Sequence, residues 1–166
     1  MVCHIREKFT INKNTLLRRY IKPEDVEKYV SGEYDAVRGY ISRAEDYNVG
    51  DFEDIFETFR LDYNDTPYHS TDKSYWKMEF KTIPDDLKKI NLDNTYGKEF
   101  GGLNEDINPC TRNGFTGAKN GKVIPEWNLA KGIKYDDSAL ITKIENGKIV
   151  KQYRYIRSKK IWRKVE

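Results

Sequence analysis

Three short stretches hold residues whose types and spacing could do chemistry. In "AVRGY", Arg38 is followed at once by Gly39. On a strand, this pair lets a planar guanidinium and a bare backbone approach one ligand, a geometry suited to phosphate. It is equally compatible with an edge-strand arginine beside a bulge glycine. In "PYHSTD", Tyr68, Ser70 and Thr71 stand just before a strand-like run. Two hydroxyls at that point can bond neighbouring elements together, or close a turn. In "GKVIPEWNLAKG", Glu126 is the single acid. A lone carboxylate has one use that needs no second acid: it stabilises an oxocarbenium ion and accepts a hydrogen bond from the adjoining ribose hydroxyl. An ordinary surface glutamate in a turn is the alternative.

Two other chemistries are open. His4 and His69, each with Lys or Arg nearby in sequence, suit ribonuclease-type acid/base catalysis, although His4 belongs to a terminus expected to fray. The tail "YRYIRSKKIWRK" interleaves cations with aromatics, the pattern of a non-enzymatic nucleic-acid-binding module. Cys3 and Cys110 form neither a disulfide framework nor a metal-ligand spacing, and no zinc motif or Walker loop occurs.

The elements that must position these residues follow from periodicity. "NTLLRRY" and "KPEDVEKYV" read as short helices, the second with Pro23 at its first position, Val26, Tyr29 and Val30 on one face, and Gly32 as its stop. "EYDAVRGYIS" switches to a period of two, placing Arg38 and Tyr40 opposite Val37, Gly39 and Ile41. "DFEDIFETF" is predicted as a helix with a capping pair, Asp51 and Asp54, and an apolar stripe of Phe52, Ile55, Phe56 and Phe59. "SYWKMEFKTI" alternates as a strand, with Trp76, Met78 and Phe80 expected to face the same core as that stripe. A loop-rich stretch from about Asn91 to Gly121 follows, carrying glycines 114, 117 and 121. "ALITKI-ENGK-IVKQYRYI" is a hairpin closed by Asn-Gly, and "KKIWRKV" extends the sheet.

Length and charge narrow the class. The 166 residues suit one domain, divided into a helical part over 1–32 and a β-rich body over 33–166, an α+β protein. Hydrophobic residues make up 37% and aromatics 13%, enough for a core built heavily from rings. Charged residues reach 34%, yet the net charge is only +3, which argues for a soluble protein and against a uniformly basic nucleic-acid module. No apolar run approaches the ~18 residues of a membrane span. The opening "MVCHIREKFT" has no signal-peptide apolar stretch and leaves the delivery route open.

Taken in order, Arg-Gly on an early strand, Ser-Thr before a middle strand, and Glu after a glycine-rich loop resemble the toxin branch of the ADP-ribosyltransferase superfamily. "YHSTD" is similar to its aromatic-x-Ser-Thr-Ser motif, with Asp72 in place of the last serine, and "EWNLAKGIKY" is similar to the segment that follows its catalytic glutamate. The resemblance spans roughly residues 34 to 145, with an unmatched insert between Pro84 and Gly114. It implies a split β-sandwich with N-terminal helices and a cleft lined by Arg38, Ser70 and Glu126. It further implies NAD as substrate. Arg38 and Gly39 would lie at the pyrophosphate or its ribose, Ser70 would brace the strand under nicotinamide, and Thr71 would assist. Tyr68 or Phe115 would stack on nicotinamide, and Glu126 would act as the catalytic acid. Ile124 stands where arginine-modifying members carry Glu or Gln, so the acceptor is another protein group, a nucleic-acid base, or water. The resemblance also implies a bacterial toxin or effector domain, secreted or delivered into a target-cell cytoplasm, with a cognate immunity protein as partner.

Overall fold

The computed structural model describes residues 9–48, 50–63, 65–90, 120, 122 and 124–166, with Asn128 and Ala130 described at the backbone alone. Cys3, His4, Cys110, Phe115, glycines 114, 117 and 121, and nearly all of the loop-rich stretch lie outside the described residues. The described chain is a mixed α/β domain built on one antiparallel sheet. Its strands are β1 (Leu17–Ile21), β2 (Val37–Arg43), β3 (Ser74–Phe80), β4 (Trp127–Ile133), β5 (Leu140–Glu145), β6 (Lys148–Ile156) and β7 (Ile161–Lys164). The spatial order is β4-β2-β1-β3-β5-β6-β7. Three helices accompany it: α1 (Pro23–Val30), α2 (Phe52–Thr58) and α3 (Leu87–Ile90). No helix among the described residues is long and apolar enough to cross a membrane.

Most elements form where their periodicity places them. Pro23 opens α1, and Val26 and Tyr29 are its buried face. The Asp51 side chain caps α2 by accepting from the Asp54 N–H at 2.9 Å. Asn146 and Gly147 both adopt positive φ, 50° and 77°, as a tight hairpin turn requires.

One expectation is overturned. "NTLLRRY" is not helical: it supplies β1, an inner strand paired with β2 and β3. Leu16, Leu17, Tyr20 and Ile21 have the spacing of a helix face, but short apolar runs do not distinguish helix from strand. In the sheet, Leu17 and Ile21 enter the core on one face while Arg18 and Tyr20 project to the other. Residues 1–32 are therefore no separate helical part, because β1 is integral to the sheet.

The core is also double, not single. One cluster joins Leu17, Ile21, Val26, Tyr29, Met78, Phe80, Ile141 and Trp162 beneath α1. A second, on the opposite face, joins Phe52 and Ile55 of α2 with Tyr75 and Ile144. The α2 stripe thus packs against Tyr75, the alternate residue of β3, and not against Met78 and Phe80. Side chains alternate across a strand, so a sheet covered on both sides buries both sets.

Candidate functional site: a basic cavity at a strand fork

The site arises from a change of partner between strands. β1 and β2 pair only at Leu17 with Arg43 and Arg18 with Ser42. Beyond that point β1 continues along β3 as far as Ile21 with Trp76, and β2 runs along β4, with Tyr40 opposite Asn128 and Ile41 opposite Trp127. The two strands splay apart like a fork. Arg19 spans the gap, its Nη1 donating to the Tyr40 carbonyl at 2.8 Å.

Gly39 makes that bridge possible. Its φ is +87°, and a Cβ at this position would lie 2.8 Å from Arg19 Nη1. The close approach expected of this glycine is real, but it is made by the guanidinium of Arg19 on the neighbouring strand.

A cavity of about 550 Å³ occupies the fork. Four cations line it: Arg18, Arg19, Lys22 and Arg60, against two acids, Asp62 and Glu126. Exposed rings of Tyr40 and Tyr63 also contribute to its wall. Arg18 is buried and held by Glu79, at 3.1 Å from Nε and 2.9 Å from Nη2. Its Nη1 donates to the Tyr47 carbonyl at 3.3 Å. Lys22 stands 5.6 Å from the Tyr63 ring centroid. Arg60 donates from Nε to Asp62 at 2.9 Å. Burial pushes the Tyr20 hydroxyl well above the ordinary phenol range, with Arg18 partly opposing, so this cavity residue is a neutral phenol. Among the described residues that hydroxyl has no hydrogen-bond partner.

Glu126 sits immediately before β4 and is only 5% exposed. A polar clamp ties the segment leading to it onto α2. Lys122 Nζ lies 2.7 Å from Asp54 Oδ1, and Asn120 Nδ2 donates to Thr58 Oγ1 at 2.8 Å and to Asp54 Oδ1 at 3.2 Å. The Tyr47 hydroxyl donates to the other Asp54 oxygen. The Lys122 ammonium first, then the Tyr47 hydroxyl, hold the Asp54 carboxyl below its usual range.

Of the described residues expected to surround a ligand, only Glu126 lines this cavity. Arg38 is exposed and packs its side chain over Gly132 of β4. Strand alternation accounts for this, because Val37 and Ile41 take the core side. Ser70 and Thr71 are exposed on a turn closed by the Asp72 N–H to the His69 carbonyl at 3.0 Å and by the His69 N–H to Asp72 Oδ2 at 2.9 Å. Turn closure, not bracing, is what this motif does locally. Tyr68 is buried; its hydroxyl donates to the Ile21 carbonyl at 2.5 Å and accepts from the Trp76 N–H at 3.2 Å, latching the end of β1 to β3. His69 is exposed on the same turn.

Three of the four cations that line the cavity were hidden in the sequence by one misassigned element. "RRYIK" carries Arg18, Arg19 and Lys22, but read as a helix it sends its charges to solvent. Read as a strand running into a helix, it aims them at the fork. Compared with family models, with curated proteins and with solved structures, the chain matches none.

Proposed function

We propose that the chain is a NAD-consuming enzyme that cleaves the nicotinamide–ribose bond and passes ADP-ribose to a protein group, a nucleic-acid base, or water. The observation that carries this reading is a buried carboxylate, Glu126, in a cavity whose other charges are mostly cationic and whose wall includes exposed tyrosine rings. A dinucleotide needs those groups: cations for the diphosphate, ring faces for the bases, and one carboxylate for the ribose. The described strands form one sheet and not the sandwich of two sheets that the resemblance implies; the fork between β1 and β2 is where that sheet opens. A role as a toxin or effector domain, with a neutralising immunity protein, belongs to the same reading.

The roles divide as follows. Arg19, Lys22 and Arg60 hold the diphosphate, taking the part expected of Arg38. Tyr40 or Tyr63 offers its face to nicotinamide or adenine. Glu126 accepts a hydrogen bond from the ribose 2′-hydroxyl and faces the positive charge that develops at C1′. Nicotinamide leaves with the electron pair of the broken C–N bond. The acceptor oxygen or nitrogen then forms a bond to C1′ and releases its proton to solvent.

Incubation with NAD labelled on the adenylate side tests the proposal. Nicotinamide is released, and label appears on an acceptor or as free ADP-ribose. Glu126→Gln lowers kcat by about 10²–10³-fold and leaves the Kd for NAD nearly unchanged, because the carboxylate acts mainly on charge formed in the transition state. Arg19→Ala instead raises the Kd. Cleavage of RNA without NAD, lost in His69→Ala and retained in Glu126→Gln, would overturn the proposal in favour of a ribonuclease.

A further inference from the structure

We propose that Ser42 is a ribose-binding residue. With Glu126 it holds the two neighbouring hydroxyls of the nicotinamide-side ribose, so the cavity selects a ribose whose 2′,3′-diol is intact. This role rests on the NAD reading above for its ligand, and adds to it a residue and a selectivity. Ser42 lines the cavity and is only 3% exposed. Among the described residues, no side-chain hydrogen bond uses its hydroxyl. Polar side chains this deep in a protein normally have a partner, and here the cavity is where one can enter.

The strand register sets Ser42 between two charged side chains. It is opposite Arg18 of β1, at the last pair before β1 and β2 part. In the pairing of β2 with β4, Tyr40 is opposite Asn128 and Ile41 is opposite Trp127. One further step in that register brings Ser42 opposite Glu126. Glu79 of β3, across from Arg18, completes a cross-strand row of Glu79, Arg18, Ser42 and Glu126. Directly opposite side chains share a face, with Cβ atoms about 5 Å apart. That face is the cavity side, since Arg18, Ser42 and Glu126 all line the cavity.

The two neighbours of Ser42 differ in what they need. The Arg18 guanidinium is already occupied, by Glu79 through Nε and Nη2 and by the Tyr47 carbonyl through Nη1. It draws nothing from Ser42, whose hydroxyl is left for a ligand beside Glu126. A carboxylate only accepts, whereas a hydroxyl both donates and accepts. The 2′- and 3′-hydroxyls of a ribose lie on one side of its ring. An acceptor for the first, next to a donor or acceptor for the second, matches that pair. The Tyr20 hydroxyl also lacks a partner among the described residues, but it is buried away from the cavity surface. The order of the other groups agrees with this placement. Arg19 and Lys22 follow Arg18 along β1, Lys22 about 13 Å from the root of the fork. A diphosphate held by them leaves its ribose directed at Ser42 and Glu126.

The test is calorimetric titration with ADP-ribose and with its analogue lacking the 3-hydroxyl of the terminal ribose. Neither probe has a nicotinamide bond to break, so binding is read apart from turnover. The unaltered protein should prefer ADP-ribose by about 3–10-fold, the worth of one neutral hydrogen bond. Ser42→Ala should abolish that preference by weakening ADP-ribose alone. Ser42→Thr, which keeps a hydroxyl, should retain it. Ser42→Ala should melt no lower than the unaltered protein, because it gives up no internal hydrogen bond. A preference that survives in Ser42→Ala, an equal loss for both probes, or no binding of ADP-ribose overturns the proposal. Nicotinamide release from NAD, measured alongside, tests the NAD reading separately. Release without any diol preference leaves that reading standing and removes Ser42 from it. Diol preference lost in Ser42→Ala, without release from NAD, upholds the ribose site and sinks the reaction.

Discussion

At the scale of single residues, Arg60 shows how the cavity trades stability for charge. It follows α2 at the position where helices commonly end in glycine, with φ 51°. The Leu61 N–H bonds the Phe56 carbonyl at 3.0 Å, completing the wrapped helix end that normally demands glycine before it. A side chain in this conformation costs about 1 kcal/mol. The compensation is position: from here the guanidinium reaches the cavity wall beside Asp62. Arg60→Gly should therefore raise the unfolding free energy by up to about 1 kcal/mol. It should also weaken anionic ligands, which titration with NAD or pyrophosphate would detect. A variant that is less stable and binds equally well would show that Arg60 packs and does not bind.

At the scale of elements, the clamp between α2 and the segment before β4 decides where Glu126 stands. Asp54 is its hub, and Lys122 and Tyr47 hold its carboxyl below the ordinary range near about 4. A depressed native value means that ionised Asp54 favours the folded state above the unfolded-state pKa. That contribution is lost as pH falls through the native one. Burial alone would raise the Asp86 carboxyl, but Lys89 and the Lys134 N–H outweigh it, so Asp86 acts in the same direction. Wild-type protein should lose stability steeply from about pH 4 downward, and Asp54→Asn should flatten that slope while lowering stability at pH 7. Thermal melts between about pH 7 and 3 would check both. An unchanged slope would mean that the clamp is not formed in solution.

The same scale shows what was legible in the sequence. The helix at "DFEDIFETF", its Asp51 cap and the Asn-Gly hairpin follow from local chemistry, and they stand where that chemistry places them. The strand nature of "NTLLRRY" does not, because it depends on β2 and β3 closing around it from positions some 20 to 60 residues away. The candidate site inherits that blindness. Glu126 was legible as an isolated acid in an apolar turn. Arg19 was not, because its place over Gly39 exists only once β1 and β2 have forked.

At the scale of the whole molecule, the sheet separates two cores with different duties. The cluster under α1, with Met78 and Ile141 fully buried, holds the strands together and meets the cavity wall only at Ile41 among the described residues. The cluster under α2 includes Leu61 and packs against Tyr20 and Phe59, and all three of these residues line the cavity. Truncation on either face should cost about 2–5 kcal/mol, since a fully buried apolar side chain leaves a void that the surroundings fill only in part. The functional consequences should diverge. Met78→Ala lowers stability but leaves ligand affinity per folded molecule unchanged. Ile55→Ala, with its side chain on the inner face of α2, loosens the helix that carries Asp54 and precedes Arg60, so affinity falls along with stability. Chemical denaturation paired with ligand titration at low denaturant would separate the two. Equal loss of affinity in both variants would mean that the cavity responds to global stability, and that the division of labour across the sheet is not real.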